Sequence, residues 1–392
     1  MQKLLFFFLS VLKKVQKIGL IFRGKKEEDV QIQRILSGKA WEEYCDQLKL
    51  AGAVLKYPGT PQDAFNQTEG LRYLTRLTRA GLEAYVEYGD PQLPVLRRMV
   101  HETVKLGADN PDNYYFNAQI DGRNEYRITG KRNTIHYIGF FTQNGSYGST
   151  GGLAPCGVLQ GADLKVRQDG TFEIILSKEP RGENWLKIED ESSLIMVRQT
   201  FLHQDVEVPA ELQILNLNGR TAPEPISPQR IEEGLKMAAM FVAGAPLLFA
   251  RWAKGFQKHT NQLPKFSPEV SNAAGGDADI VYYHSYWKLG TDECLRITVT
   301  PPDCDTWNFQ LNNYWMESLD YRYFTVCINK GTAHFKADGS VEVIVAHTNP
   351  GKPNWINTCG HFEGTMCWRW YRLAKAVAPI EPTCEVLRIA DL

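Results

Sequence analysis

The chain has 392 residues, of which 43% are hydrophobic and 23% charged, a balance typical of folded proteins with sizeable cores. This length accommodates two or three ordinary domains. The formal net charge is −1, whereas nucleic-acid-binding proteins carry a basic excess, so the composition excludes nucleic acid as a partner. The chain contains 17 Tyr, 18 Phe and 9 Trp, and such aromatic density suits β-sheets and ligand grooves.

Residues 1–27 form a basic, apolar segment. Residues 1–26 contain seven Lys or Arg and no acid, and the apolar run at residues 4–12 is too short to span a bilayer. As a helix, this segment would lie in an anionic membrane surface; the alternative is a helix docked on the protein's own core. The eight cysteines include no Cys-x-x-Cys pair and are typical of reduced thiols. The predicted location is therefore cytoplasmic, with peripheral attachment to the inner face of the membrane as an option.

Residues 28–110 show apolar residues at helical spacing, which predicts helices at residues 30–55, 62–88 and 94–106. Short runs of Tyr, Ile, Phe and Thr, broken by Gly and Asn, then predict strands over residues 111–217. Residues 218–278 form a linker with a helix at residues 232–256, whose apolar part is too short to span a membrane. Strand patterns resume over residues 279–392.

The two β stretches repeat each other at a shift of about 169 residues, the separation of Asp169 and Asp338. Five landmarks follow the same order in both copies. They are Tyr114-Tyr115 with Tyr282-Tyr283, Arg127-Ile128-Thr129 with Arg296-Ile297-Thr298, Asp169-Gly170 with Asp338-Gly339, Asn184-Trp185 with Asn354-Trp355, and Met196 with Met366. Because both copies carry them, these positions are interpreted as architectural, and residues found in only one copy as better functional candidates.

The shared unit predicts the fold. Asp-Gly before an alternating apolar run indicates a tight turn followed by a strand with one buried face. Two such units predict a mainly β protein: two related antiparallel β-sandwich or jelly-roll-like units, joined by a helix and preceded by a helical region.

The sequences 307-WNFQLNNYWMESLDYRY-323 and 352-KPNWINTCGHFEGTMCWRW-370 resemble bacterial proteins with the domain of unknown function 1214. The first unit resembles a more diverged copy, and residues 69–83 and 106–115 resemble the N-terminal part of full-length members. The resemblance covers about residues 30–392. It implies a jelly-roll-like architecture and assigns no activity and no catalytic residue.

Histidines concentrate in the second unit. His347 ends one predicted strand and His361 precedes the next, so an antiparallel hairpin would let the two approach each other. With Glu363 nearby, they are candidates for acid–base catalysis, and the two histidines for metal binding. The alternative interpretation makes them ordinary core residues.

Residues 312–323 form the densest polar and aromatic stretch of the chain. Amide, carboxylate, guanidinium and ring groups together suit a ligand-binding surface, although the same residues also suit a structural loop. The predicted ligand-binding residues are His284, Asn313, Trp315, Glu317, Asp320, Tyr321 and Arg322.

The sequence favours recognition, with modification as an option, of an apolar or hydroxylated small molecule such as a lipid or glycan. A hydrolase-like or metal-assisted enzyme using His347 and His361 is the first alternative, and a structural assembly of jelly-roll units is the second. The sequence specifies no cofactor and no oligomeric state.

Overall fold

A computed structural model describes residues 27–147 and 152–392, and it shows a mainly β protein with an N-terminal helical region. The predicted membrane-surface helix at residues 1–26 lies outside the described residues. Two β units follow the helical region, and one long helix connects them. The predicted fold class is therefore confirmed.

The N-terminal region contains three α-helices and two short helical turns. They are α1 (Glu27–Leu36), α2 (Lys39–Ala51), a 3-10 turn (Gly52–Lys56), α3 (Ala64–Leu82) and a π-helical turn (Glu83–Glu87). The Asp63 side chain accepts a hydrogen bond from the Asn66 backbone N–H at 3.0 Å and so caps the first turn of α3. One face of α3 is buried, with Tyr73 and Leu77 fully enclosed, and this face packs on the second β unit.

The helix predicted at residues 94–106 is wrong, because this segment contains strand β1 (Arg97–Val100). Strand β1 pairs with the edge of the first unit's larger sheet, and a bridge between His101 and Val104 then reverses the chain. Pairing with β2 gives the backbone N–H and C=O groups of this segment hydrogen-bond partners. A short isolated helix here would be only marginally stable.

Each β unit is a two-sheet sandwich. The first comprises β2 (Asn113–Gln119), β3 (Tyr126–Lys131), β4 (Tyr137–Asn144), β5 (Ala154–Gln160), β6 (Thr171–Ser177), β7 (Trp185–Lys187), β8 (Ser192–Thr200) and β9 (Glu211–Asn216). Its sheets have the strand orders β1-β2-β8-β4-β5 and β7-β6-β3-β9. Residues from both sheets share one apolar core.

The second unit repeats this topology. It comprises β10 (Ile280–Lys288), β11 (Glu293–Val299), β12 (Cys304–Leu311), β13 (Cys327–Asn329), β14 (Val341–Ala346), β15 (Trp355–Asn357), β16 (Glu363–Leu373) and β17 (Thr383–Arg388). Its sheets run β10-β16-β12-β13 and β15-β14-β11-β17, the same order as in the first unit except that β1 has no counterpart. Pairing is antiparallel except that β7 runs parallel to β6 and β15 parallel to β14. The predicted duplication is thus present in the fold.

The Asn-Trp landmarks make equivalent hydrogen bonds in both units. Asn354 accepts a hydrogen bond from the His334 backbone N–H at 2.7 Å and donates to the carbonyls of His334 and Glu342 at 2.8 and 2.9 Å. Asn184 makes the corresponding three bonds in the first unit. Trp185 and Trp355 each donate their indole N–H to a carbonyl at or next to the end of the preceding strand. The architectural interpretation of these residues is confirmed.

We expect Asn354→Ala to lower the free energy of unfolding by about 2–4 kcal/mol, because it removes three hydrogen bonds and leaves alanine in a left-handed conformation. The φ angle of Asn354 is 56°. Asn349→Ala, in an exposed turn where the side chain accepts one N–H, is the matched control, with an expected loss below about 1 kcal/mol. Denaturant titration measures both variants, and equal losses would contradict the anchoring role.

Helix α4 (Pro228–Phe256) connects the units, and the short helix α5 (Pro268–Ala273) follows it. Each begins with a serine N-cap followed by proline, at Ser227 and Ser267. Among the described residues, only the segment Pro228–His259 is long and apolar enough to cross a membrane, so the expectation that this helix is too short is wrong on length and composition. However, 56% of its most apolar window is buried inside the protein. Helix α4 packs against α2, α3 and the second unit, as expected of a core helix.

Candidate functional site

A cavity lies between the two β units. Strands β2 and β8 of the first unit and β10 and β16 of the second form two of its walls. Helix α4, the end of α5 and residues 274–276 contribute to the others. The volume of the cavity is about 140 Å³. An engineered protein cavity of roughly 150 Å³ binds benzene, so this volume suits a small organic ligand.

The wall contributed by α4 is apolar and aromatic. Phe241, Phe249 and Trp252 project from one side of this helix into the lining, and Leu194 and Met196 of β8 line the opposite side. Phe249 and Trp252 meet edge to face with ring centroids 5.8 Å apart. An apolar ligand would gain free energy here by leaving water.

Two arginines, one from each unit, line the sheet walls. Arg198 of β8 lies directly opposite Tyr115 of β2, and Arg369 of β16 lies directly opposite Tyr282 of β10. The side chains of both arginines are at least nine-tenths buried. The two sandwiches thus place equivalent Tyr–Arg pairs in a single cavity, although each unit alone has only one.

Arg369 is surrounded by neutral acceptors. Its guanidinium donates to the side-chain oxygens of Asn308 at 3.3 Å and Gln310 at 2.6 Å, and to the carbonyl of Ala108 at 2.5 Å. Within the described ranges, no carboxylate forms an ion pair with it at 4.0 Å or less. A buried cation of this kind keeps an unbalanced positive charge at the cavity wall.

Arg198 has one acidic neighbour. Its Nη1 lies 3.5 Å from the carboxylate of Asp277, without hydrogen-bond geometry, and its Nη2 donates to the carbonyl of Gly275. The guanidinium also lies over the ring of Phe141, 4.8 Å from its centroid. Gly275 has a φ of 89°, and this left-handed turn brings its carbonyl against the arginine.

His284 lines the cavity between two parallel rings, those of Phe256 and Tyr282, at centroid distances of 5.4 and 5.6 Å. Its Nε2 contacts the Cys367 thiol at 3.9 Å, and its Nδ1 is buried without a hydrogen-bond partner in the described structure. Burial, and next the charge of Arg369, lowers the pKa of His284 to about 3. The ring is therefore neutral at physiological pH and offers one unpaired polar atom.

Three cavity-lining phenols act as acceptors. The Tyr115 hydroxyl accepts from the backbone N–H of Asn110, the Tyr371 hydroxyl accepts from the Asn110 side chain, and the Tyr282 hydroxyl accepts from the backbone N–H of Asp277. Burial raises the pKa of Tyr282 to about 12 and raises the pKa of Tyr115 and Tyr371 as well. All three stay protonated, and each can donate its proton to a ligand oxygen.

Of the predicted ligand-binding residues, only His284 lines this cavity. Asn313, Trp315 and Glu317 are buried, and they hold helix α3 against the second unit. Trp315 donates its indole N–H to the Asn66 carbonyl at 3.0 Å and stacks near Tyr73. A side chain at Gly70 would overlap the Trp315 ring, since a Cβ there would lie 2.4 Å from it.

A buried charge network completes this helix contact. Glu317 pairs with Arg76 of α3 at 2.7 Å, and the Asn313 side-chain amide donates to both Glu317 and Glu69. The pKa of Glu317 is raised by burial, the largest influence on it. Burial alone would also raise the pKa of Glu69, but hydrogen bonds from His361 and Asn313 outweigh it and lower that pKa to about 2.

Asp320, Tyr321 and Arg322 lie away from the cavity lining. Asp320 and Arg322 pair with each other at 2.7 Å on the surface. Tyr321 is half-buried with the Lys105 ammonium 4.3 Å from its ring centroid. The predicted ligand-binding stretch therefore falls into two parts. Its first part packs against helix α3, and its second part is a turn near the surface.

The predicted hairpin between His347 and His361 is wrong, because β14 and β16 belong to different sheets. The intervening β15 runs parallel to β14, which requires the chain to cross over between them. The histidines nevertheless meet at one residue. His347 Nδ1 lies 2.8 Å from the Thr358 hydroxyl, and His361 Nδ1 lies 3.0 Å from the Thr358 carbonyl oxygen.

The remaining polar contacts of the predicted catalytic residues are hydrogen bonds and ion pairs with other groups of the protein. His361 Nε2 faces Glu69 at 3.3 Å, and His347 Nε2 faces the Gly290 carbonyl at 3.1 Å. Glu363 lies elsewhere, accepting from the Tyr286 hydroxyl at 2.9 Å and pairing with Lys288 at 3.4 Å. The described ranges contain no group of three His, Cys, Asp or Glu side chains placed to hold a metal. Catalysis or metal binding by His347, His361 and Glu363 stays a prediction.

The sequence comparison of the two units missed the cavity because two landmarks are paired one residue out of register. Tyr114 faces the sandwich core while Tyr282 lines the cavity; likewise Met196 lines the cavity while Met366 lies in the core. A slip of one residue exchanges the two faces of a strand. The signal that could have identified the site is an Arg with a cross-strand Tyr, present in both copies.

The fold and cavity define a duplicated β-sandwich protein with a ligand-sized space between its halves. A solved structure of an uncharacterised protein from Burkholderia cenocepacia is similar over 92% of this chain and 99% of that chain, at 46% identity and a TM-score of 0.89. The chain belongs to the same protein family as that protein. The VPA0106 protein from Vibrio parahaemolyticus matches 87% of this chain and 100% of its own, at 13% identity and a TM-score of 0.46. No protein-family model and no curated protein matches the chain.

Proposed function

We propose that the protein binds an apolar or hydroxylated small molecule, such as a lipid, in the cavity between its two β units. The observation that carries the proposal is a cavity with an aromatic wall from α4 and polar groups converging from both sandwiches. Apolar pockets with a few convergent polar groups are the usual form of small-molecule sites.

Two buried polar atoms support this assignment. His284 Nδ1 and Arg198 Nη1 belong to cavity-lining residues and have no hydrogen-bond partner among the described atoms. Buried polar atoms in native proteins are nearly always hydrogen-bonded, and leaving one unsatisfied costs about 1–3 kcal/mol. A ligand oxygen or a water molecule bound in the cavity would satisfy them.

Three further assignments accompany the proposal. Membership of the domain-1214 family rests on the sequences at residues 307–323 and 352–370. A cytoplasmic location rests on the unpaired cysteine pattern, and peripheral membrane attachment on the basic residues at positions 1–26. A membrane-attached binder of apolar molecules would have its ligand close at hand.

Filling the cavity tests the proposal. We expect Met196→Trp and Ala274→Phe each to weaken decanol binding at least about tenfold, because overpacking a filled site costs roughly 1–3 kcal/mol. Both residues line the cavity from different elements. Val158→Trp is the matched control, since Val158 is half exposed on β5 outside the lining. Native mass spectrometry of gently purified protein, with and without added decanol, measures the bound fraction.

The decanol-binding experiment has one supporting and one contradicting result. Loss of decanol, or of a retained natural ligand, in both filling variants but not in Val158→Trp supports the cavity as the site. Unchanged binding in all variants, or no binding to the unmodified protein, would overturn the proposal.

A further inference from the structure

We infer that the ligand of this cavity is a monoanionic amphiphile, an apolar molecule ending in a carboxylate, and that Arg369 binds its head group. This inference rests on the proposed function and specifies the chemistry of the molecule bound. Three observations lead to it: the charge balance of the lining, the separation of apolar and cationic walls, and the orientation of the polar groups.

The charge balance of the lining leaves one positive charge. Arg198 has Asp277 beside it. Asp109 also lines the cavity, but the Ser318 backbone N–H and hydroxyl donate to it, and Lys105 lowers its pKa more strongly than Arg369 does. Arg369 remains without an acidic partner in the described structure. A single unbalanced guanidinium is complementary to a monoanion rather than to a doubly charged phosphate ester.

Nearby groups favour an anion over a neutral polar head. Tyr115 and Tyr282 each lie within electrostatic range of both arginines, so the two cationic side chains and these phenols occupy one region of the cavity. The phenols accept N–H bonds and keep their own protons for donation. A guanidinium and phenolic O–H groups are all donors, which suits the acceptor-only oxygens of a carboxylate.

The apolar wall identifies the rest of the ligand. Phe241, Phe249 and Trp252 belong to α4, whereas Arg198 and Arg369 belong to the sheets. A ligand with its carboxylate at the sheets would extend its hydrocarbon or aromatic part along α4. Burial of the charged head is favourable because the ligand neutralises a cation that is already desolvated.

Decanoate and decanol provide a matched pair of ligands with the same alkyl chain and different heads. We expect the unmodified protein at neutral pH to bind decanoate about 10- to 100-fold more tightly than decanol, the range supplied by a charge-assisted hydrogen bond. Arg369→Gln should abolish this preference, so that the two ligands bind this variant with about equal affinity. Arg369→Lys keeps the charge and should retain a preference. Isothermal titration calorimetry on the full chain measures all six affinities.

Each result bears on one claim. Equal affinities for decanoate and decanol in the unmodified protein, or a preference that survives Arg369→Gln, would overturn the inference while leaving the cavity as a binding site. Binding of neither ligand would overturn the proposed function itself. Circular dichroism and the thermal unfolding midpoint show whether Arg369→Gln is folded, and the comparison of the two ligands in the unmodified protein holds without any variant.

Discussion

Arg76→Ala is expected to lower the free energy of unfolding by about 3–5 kcal/mol, because it leaves a buried carboxylate without its cation. The carboxylate belongs to Glu317, whose side chain is 1% exposed and 2.7 Å from the Arg76 guanidinium. Its other hydrogen-bond donor among the described residues is the side-chain amide of Asn313, which does not replace the lost charge. The pair also fixes helix α3 on the second β unit, so the helical region should loosen first.

Helix α3 provides its own control. Arg72 pairs with Glu69 on the same helix, but its side chain is 52% exposed, so Arg72→Ala should cost less than about 1 kcal/mol. The double variant Arg76→Ala with Glu317→Gln removes the orphaned charge and should recover part of the loss. Denaturant titration of Arg76→Ala, Glu317→Gln, the double variant and the unmodified protein gives the coupling energy between Arg76 and Glu317. Equal losses in Arg76→Ala and Arg72→Ala would refute the role assigned to this pair.

A second large effect depends on pH. The pKa of Glu69 falls from 4.5 to about 2 on folding, so its ionised form stabilises the folded state above pH 4.5. This contribution is lost as the pH falls from 4.5 towards 2. At about 1.4 kcal/mol per pKa unit, Glu69→Gln should cost about 3 kcal/mol at neutral pH and almost nothing at pH 2.

The measurement is the difference in unfolding free energy between Glu69→Gln and the unmodified protein across this pH range. Glu179→Gln, at an exposed position on the first unit, should show a small difference at every pH. Glu69→Gln also removes one of the charges that raise the pKa of Glu317, so part of the measured difference reports the coupling of these two carboxylates. A Glu69→Gln difference that stays constant from neutral pH to pH 2 would contradict the charged contact between α3 and the second unit.

Much of the fold follows from local patterns in the sequence. Asp-Gly turns, alternating apolar strands and the Asn-Trp anchors mark both units, and serine followed by proline marks the start of α4. Strand β1 could not be predicted in the same way, because its partner is a sheet edge formed by residues distant from it in the sequence. Its own apolar spacing is compatible with a helix.

The candidate site was harder to predict, because it lies between two units that each look complete. His284 is a histidine found in one copy only, whereas Arg198 and Arg369 occupy equivalent positions in both copies and lie outside the five landmarks of the sequence repeat. The duplication places one Tyr–Arg pair from each unit in the cavity. Occurrence in both copies was therefore a sign of the binding site, and it did not exclude these residues from it. The buried polar residues of 307–323 serve a contact with α3, which no local pattern reveals.

A crystal structure of the full chain with decanoate tests the central claim most directly. The account predicts the carboxylate against Arg369 and the alkyl chain along Phe249 and Trp252 of α4, in the cavity between the sandwiches. Decanoate bound elsewhere, or with its carboxylate turned away from Arg369, would contradict it.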